Sequence, residues 1–77
     1  MKLVAARRIH LWSIRELSRR AGVATKTLND IELGRTTPSL ITIGKLSEAL
    51  GIDPLQIDEF REAILGPEEP ELAPASA

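Results

Sequence analysis

Two short helical segments joined by a three-residue turn constrain the fold of this 77-residue chain more than any other feature. Ser13 opens a Ser-x-x-Glu capping box that begins the first segment, and Gly22 stands where a left-handed residue would end it. The second segment, 25–33, carries Leu28 and Ile31 one turn apart. A glycine-containing turn of this length sets the helices at a steep angle, so the second one protrudes.

The remaining segments also carry helix signals. Apolar residues about one turn apart indicate a helix from about Leu3 to Ile9. Ser39 is a cap for another helix that ends at Gly51, and Asp53-Pro54 begins a last helix over 54–65. No segment alternates between polar and apolar residues, so we predict no sheet. The predicted fold class is all-α, with five helices in a compact bundle.

The charges divide the chain into a basic part and an acidic part. Residues 1–45 hold nine basic and three acidic side chains, whereas residues 46–77 hold one basic and eight acidic side chains. This asymmetry favours a basic face that binds a polyanion. Three prolines and three glutamates lie among the last 12 residues. We therefore predict one domain over 1–66 and a disordered acidic tail, rich in Pro, Glu and Ala, over 67–77.

Several classes of protein are disfavoured by what the sequence lacks. It contains no cysteine and a single histidine, His10, which argues against a disulfide framework, a thiolate nucleophile and a metal cluster. No apolar run approaches the ~18 residues of a membrane span, and no glycine-rich phosphate loop is present. We expect a cytoplasmic, nucleoid-associated protein that is not an enzyme and uses no cofactor or metal. Only two aromatic residues are available for base stacking, Trp12 and Phe60, which favours duplex DNA over single strands or RNA.

Residues 13–35 resemble the helix-turn-helix of the Cro and lambda-repressor (XRE) family, and the resemblance extends over roughly 3–65. It implies the five-helix, lambda-repressor-like DNA-binding fold. It also implies that an arginine of the first helix, Arg7, pairs with Glu32 at the end of the recognition helix. The motifs that carry the resemblance are Gly22-Val23, Ile31-Glu32-x-Gly34, Pro38-Ser39-Leu40 and Ala49-Leu50-Gly51-Ile52.

The resemblance also assigns candidate DNA contacts. Lys26 is suited to donate to guanine and Asn29 to pair with adenine. Asp30 either accepts from cytosine or orients Lys26 from one helical turn away. The predicted base-reading residues are Thr25, Lys26, Asn29 and Asp30. The predicted phosphate contacts are Arg35, Thr36 and Thr37 in the loop after the recognition helix, with Arg15 and Arg19 on the preceding helix.

Three positions depart from the family pattern. Ile14 stands where a glutamine commonly touches phosphate, and Leu11 replaces a usual glycine after the first helix. Ala24 replaces the usual Ser or Thr N-cap, so either Ala24 is the cap or Thr25 caps instead and the recognition helix starts one residue later. We interpret Trp12, at an apolar family position, as a core residue.

The function expected from these features is sequence-specific regulation of transcription. The protein would insert helix 25–33 into the major groove of duplex DNA and act as a repressor, as a homodimer on a palindromic operator. Two alternatives are an antitoxin that represses its own operon and an adaptor without DNA binding. In either, a toxin or regulator would bind the last helix or the acidic tail. The predicted dimer interface consists of Leu55, Ile57, Phe60 and Ile64.

Overall fold

The computed structural model describes residues 1–66, so the predicted tail at 67–77 lies outside the described residues. Within 1–66 every regular element is helical, which confirms the predicted all-α fold with five α-helices. A short 3-10 helix, Pro54–Gln56, precedes the last of them. The helices are α1 (Leu3–Ile9), α2 (Ile14–Ala21), α3 (Thr25–Glu32), α4 (Leu40–Leu50) and α5 (Asp58–Leu65).

The ends of α2 follow from local hydrogen bonding. The Ser13 hydroxyl accepts a 3.1 Å hydrogen bond from the Glu16 amide, and Gly22 ends the helix at φ 71°. The capping box is only half formed, because the Glu16 carboxylate accepts hydrogen bonds from Arg19 and Arg20. Those two arginines lie one turn further along α2, and their charge competes with the neutral Ser13 amide for the carboxylate.

The last predicted helix, 54–65, is divided in the structure. Ile57 adopts an extended conformation (φ −98°, ψ 123°) between the 3-10 helix and α5. The Asp58 amide donates a 2.8 Å hydrogen bond to the Met1 carbonyl and not to a carbonyl within residues 54–57, so the helix is interrupted here. This break turns the Ile57 side chain fully into the core.

The core lies between the helices, where α2 packs against both α3 and α4. The prediction that Ile57 and Phe60 form a dimer surface is wrong, because both side chains are 0% exposed within one protomer. A small domain has few large apolar side chains to fill its centre, and Phe60 is the largest one fully buried. Leu55 and Ile64 are exposed, and their role in a dimer stays a prediction. The apolar core comprises Leu3, Ala6, Leu17, Val23, Leu28, Ile31, Ile43, Leu46, Leu50, Ile57 and Phe60.

The turn between α1 and α2 contains the one strained residue other than glycine within 1–66. Leu11 has φ 63°, a left-handed conformation, and its side chain is 92% exposed. The turn therefore keeps a geometry that suits glycine although a leucine occupies it. Trp12, interpreted as core, is only partly buried and packs against the edge of the core.

Candidate nucleic-acid interface

The recognition helix α3 has one buried face and one exposed face. Leu28 and Ile31 are 0% exposed and anchor the inner face. Thr25, Lys26 and Asn29 are exposed on the outside. These inner and outer positions alternate with helical spacing, so α3 presents a polar surface while it remains packed on the core.

The N-terminal end of α3 is fixed by the turn that precedes it. The Gly22 and Val23 amides donate to the Ser18 carbonyl at 2.9 and 3.2 Å, and the Ser18 hydroxyl donates back to the Val23 carbonyl. Ala24 is the N-cap residue and α3 starts at Thr25, although the alanine side chain makes no capping bond. The turn is therefore held by Ser18 and by the buried Val23 side chain.

The C-terminal end of α3 is tied to α1 by the predicted ion pair. The Arg7 guanidinium donates to both Glu32 oxygens at 2.8 and 3.0 Å and to the Trp12 carbonyl at 2.9 Å. The hydrogen bond to Glu32 raises the pKa of Arg7 above its ordinary value. Because a planar guanidinium binds a carboxylate in one geometry, this pair fixes the direction of α3 as well as its distance from α1.

The comparison with known families agrees with this geometry. The family described as Helix-turn-helix matches residues 3–57, which include α1 to α4 and the turn that holds α3. The chain belongs to this family. It is a Cro/lambda-repressor-like (XRE) helix-turn-helix protein, a DNA-binding regulator of transcription that binds duplex DNA. Comparisons with curated proteins and with solved structures gave no match.

Within residues 1–66, this helix-turn-helix protein has neither of two other kinds of site. No group of His, Cys, Asp or Glu side chains there is arranged to hold a metal ion. No helix of that part of the chain has the length and apolar character needed to cross a membrane.

The predicted base-reading residues occupy the exposed face of α3. The Lys26 side chain is 85% exposed, and its Nζ lies 3.0 Å from Asp30 Oδ2. Asp30 is more enclosed, with 20% of its side chain exposed. This direct contact supports the interpretation of Asp30 as a partner of Lys26. Thr25 and Asn29 are exposed beside this pair, and their contacts with bases stay predictions.

The predicted phosphate contacts fall into two groups. The loop after α3 contains the first group, the exposed residues Arg35, Thr36 and Thr37. The Arg35 amide donates a 2.8 Å hydrogen bond to the Asp30 carbonyl. The Arg35 side chain is 67% exposed, and its Nη1 lies 3.9 Å from Asp30 Oδ1. The loop is therefore joined to α3 through the same residue that contacts Lys26.

The second group, the arginines of α2, differ in whether they form ion pairs. Arg15 is exposed and makes no ion pair with a described residue. Arg19 is 69% exposed but pairs with Glu16, which also accepts from Arg20 Nε at 2.6 Å. The hydrogen bonds from Arg19 and Arg20 lower the pKa of Glu16. Arg19 bonds Glu16 through Nη2 alone, so its other guanidinium donors are available to a phosphate.

The sequence did not predict the cluster of His10 and Arg20 around Trp12. The His10 ring stacks on the Trp12 ring at 4.2 Å between centroids, and the Arg20 guanidinium lies 4.4 Å from the Trp12 ring centre. His10 Nε2 also lies 2.9 Å from the Leu50 carbonyl at the end of α4. No periodic pattern links these residues, because they come from a turn and two helices that only packing brings together.

Proposed function

We propose that the protein is a sequence-specific transcriptional repressor that inserts α3 into the major groove. The observation that best supports this proposal is that contacts fix α3 at both ends while Thr25, Lys26 and Asn29 are exposed on its outer face. A major groove about 12 Å wide admits one α-helix, and polar side chains at the start of that helix reach the base edges. Such a protein acts where chromosomal DNA is, in the nucleoid.

Each exposed polar residue near α3 has a proposed role. The base edges are read by the α3 side chains, and the rim fixes the helix on the backbone, since phosphate contacts position a protein while base contacts specify the sequence. The proposed base-reading set is Thr25, Lys26, Asn29 and Asp30, and the proposed phosphate set is Arg15, Arg19, Arg35, Thr36 and Thr37.

We further propose that two copies bind a palindromic operator. A helix of eight residues touches few bases, so a single copy would bind weakly. Two-fold symmetric dimers double the contacts and match half-sites about 34 Å apart. Leu55 and Ile64 are 45% and 39% exposed, which leaves apolar surface near α5 for a second copy. A shift from dimer to monomer in sedimentation of Ile64→Glu supports this surface, and an unchanged mass argues against it.

Selection of binding sites from a randomised duplex pool tests the central proposal. We expect one enriched motif, repeated as an inverted pair at one helical turn. Lys26→Ala should lose the preference at one position of the motif, whereas Lys45→Ala, which changes an exposed lysine on α4, should keep the whole motif. Binding without sequence preference would contradict the proposal.

Repression is tested separately from binding. The selected site is placed within a promoter, and transcription from it is measured with the wild-type protein and with Lys26→Ala. We expect the wild-type protein alone to lower transcription. An increase with the wild-type protein would make it an activator and contradict the repressor role.

A further inference from the structure

We infer that Lys26 and Asp30 read one G·C base pair together, with Lys26 donating to guanine and Asp30 accepting from the cytosine amino group. This inference rests on the proposed insertion of α3 into the major groove. It goes further because it assigns one base pair to the two side chains together.

The two side chains form a donor and an acceptor next to each other on the outer face of α3. They lie one helical turn apart, with Lys26 Nζ 3.0 Å from Asp30 Oδ2. The lysine is 85% exposed and free to extend, whereas the aspartate is only 20% exposed. The carboxylate therefore has a defined position, and the ammonium group moves beside it.

A G·C pair offers the complementary arrangement in the major groove. Guanine presents two acceptors, N7 and O6, beside the amino donor of cytosine. Lys26 would meet two acceptors there, and Asp30 would meet the donor. Reversing the pair would set the carboxylate against the two guanine acceptors, which repel it. The pair of side chains therefore also reads the orientation of the base pair.

An A·T pair fits the same two side chains less well. Thymine O4 and the adenine amino group also form an acceptor and a donor. However, the neighbour of O4 is a methyl group, which offers Lys26 no second acceptor. The neighbour of the adenine amino group is N7, whose lone pair repels the Asp30 carboxylate.

Arg35 explains how a carboxylate is tolerated close to phosphates. Its Nη1 lies 3.9 Å from Asp30 Oδ1, while Lys26 occupies Oδ2, so the single negative charge has two cationic neighbours. The group of three side chains carries a net positive charge. Asp30 then adds selectivity at the base edge, while the sum of the charges still attracts the DNA backbone.

The test uses the full chain and a panel of duplexes in which each position of the selected half-site is changed in turn. For the wild-type protein we expect one G·C position at which both A·T and the reversed pair lower affinity by about 10- to 100-fold. Asp30→Asn and Lys26→Ala should each flatten the preference at that same position. The double variant should flatten it no further than the stronger single variant.

The controls separate this inference from folding and from the proposed function. Glu48→Gln and Lys45→Ala, both exposed on α4, should keep the wild-type profile. Flattening at different positions by the two α3 variants, or uniform loss by Asp30→Asn, would overturn the inference and leave sequence-specific binding in place. If Asp30→Asn unfolds, the amino group of the cytosine is removed from the duplex instead, and the wild-type protein should then lose affinity at that position; an unchanged affinity would overturn the inference. Absence of any preference in the wild-type protein would overturn the inference and the proposed function together.

Discussion

The Arg7 guanidinium on α1 holds the Glu32 carboxylate at the end of α3 through two hydrogen bonds, of 2.8 and 3.0 Å. The side chains are only 11% and 8% exposed. The recognition helix is therefore joined to the first helix by a nearly buried ion pair, at the end opposite to Thr25 and Lys26. This geometry separates the residues that orient α3 from those that would touch DNA.

Removing one member of that pair should destabilise the whole domain. We expect Arg7→Ala to lower the free energy of unfolding by about 3 kcal/mol, because it leaves the Glu32 charge enclosed without a partner. Replacing both residues, as Arg7→Met with Glu32→Leu, should cost less, since no unpaired charge remains. Urea denaturation measures both effects. A double variant less stable than Arg7→Ala would contradict this account.

Relieving the strained turn should stabilise the protein. Leu11 has φ 63° and is 92% exposed, so Leu11→Gly removes strain and loses little buried surface. The left-handed conformation costs a leucine about 1–2 kcal/mol, and the greater freedom of unfolded glycine offsets part of the gain. We expect a net gain of about 0.5–1 kcal/mol in thermal or urea unfolding. Leu11→Val should have the opposite effect, and a destabilised glycine variant would argue against strain at this turn.

Acid should weaken α2 through Glu16. Arg19 and then Arg20 hydrogen-bond the Glu16 carboxylate and lower its pKa below the ordinary value of 4.5. The ionised group therefore stabilises the folded state above about pH 4.5, and this contribution is lost as the pH falls through the lowered pKa. We expect Glu16→Gln to show a smaller loss of thermal stability on acidification than the wild-type protein.

The control for this pH dependence is Glu48→Gln, which changes an exposed carboxylate of α4 that makes no ion pair with a described residue. Its stability curve should follow that of the wild-type protein. Arg7, whose pKa is raised by its hydrogen bond to Glu32, stays charged throughout the acid range and so adds nothing to the acid effect. Parallel acid curves for Glu16→Gln and the wild-type protein would count against the Glu16 pairing.

Salt should reveal the role of Arg35. If its 67% exposed side chain neutralises one phosphate, Arg35→Ala reduces the slope of log affinity against log salt by about one. The loss of affinity should be similar for selected and unrelated duplexes, because phosphates carry no sequence information. Equilibrium binding at several salt concentrations measures the slope, with Lys45→Ala as control. An unchanged slope in Arg35→Ala would remove it from the proposed phosphate contacts.

Much of this protein is determined by its sequence because the deciding interactions are local. Ser13 and Gly22 set the ends of α2 through hydrogen bonds within a few residues, and Leu28 and Ile31 mark the inner face of α3 by their spacing alone. The pairing of Arg7 with Glu32 spans 25 residues, and its prediction rests on the resemblance to a family and not on any local rule.

Tertiary structure alone decided which apolar residues fill the centre and which charges meet. Leu55 and Ile57 are alike in chemistry, yet a break before α5 exposes one and buries the other. Packing likewise brought Arg20 to Trp12, and the loop that follows α3 brought Arg35 to Asp30. Burial and long-range ion pairing depend on where whole helices lie. The pattern of residues along one helix does not specify which other helices pack against it.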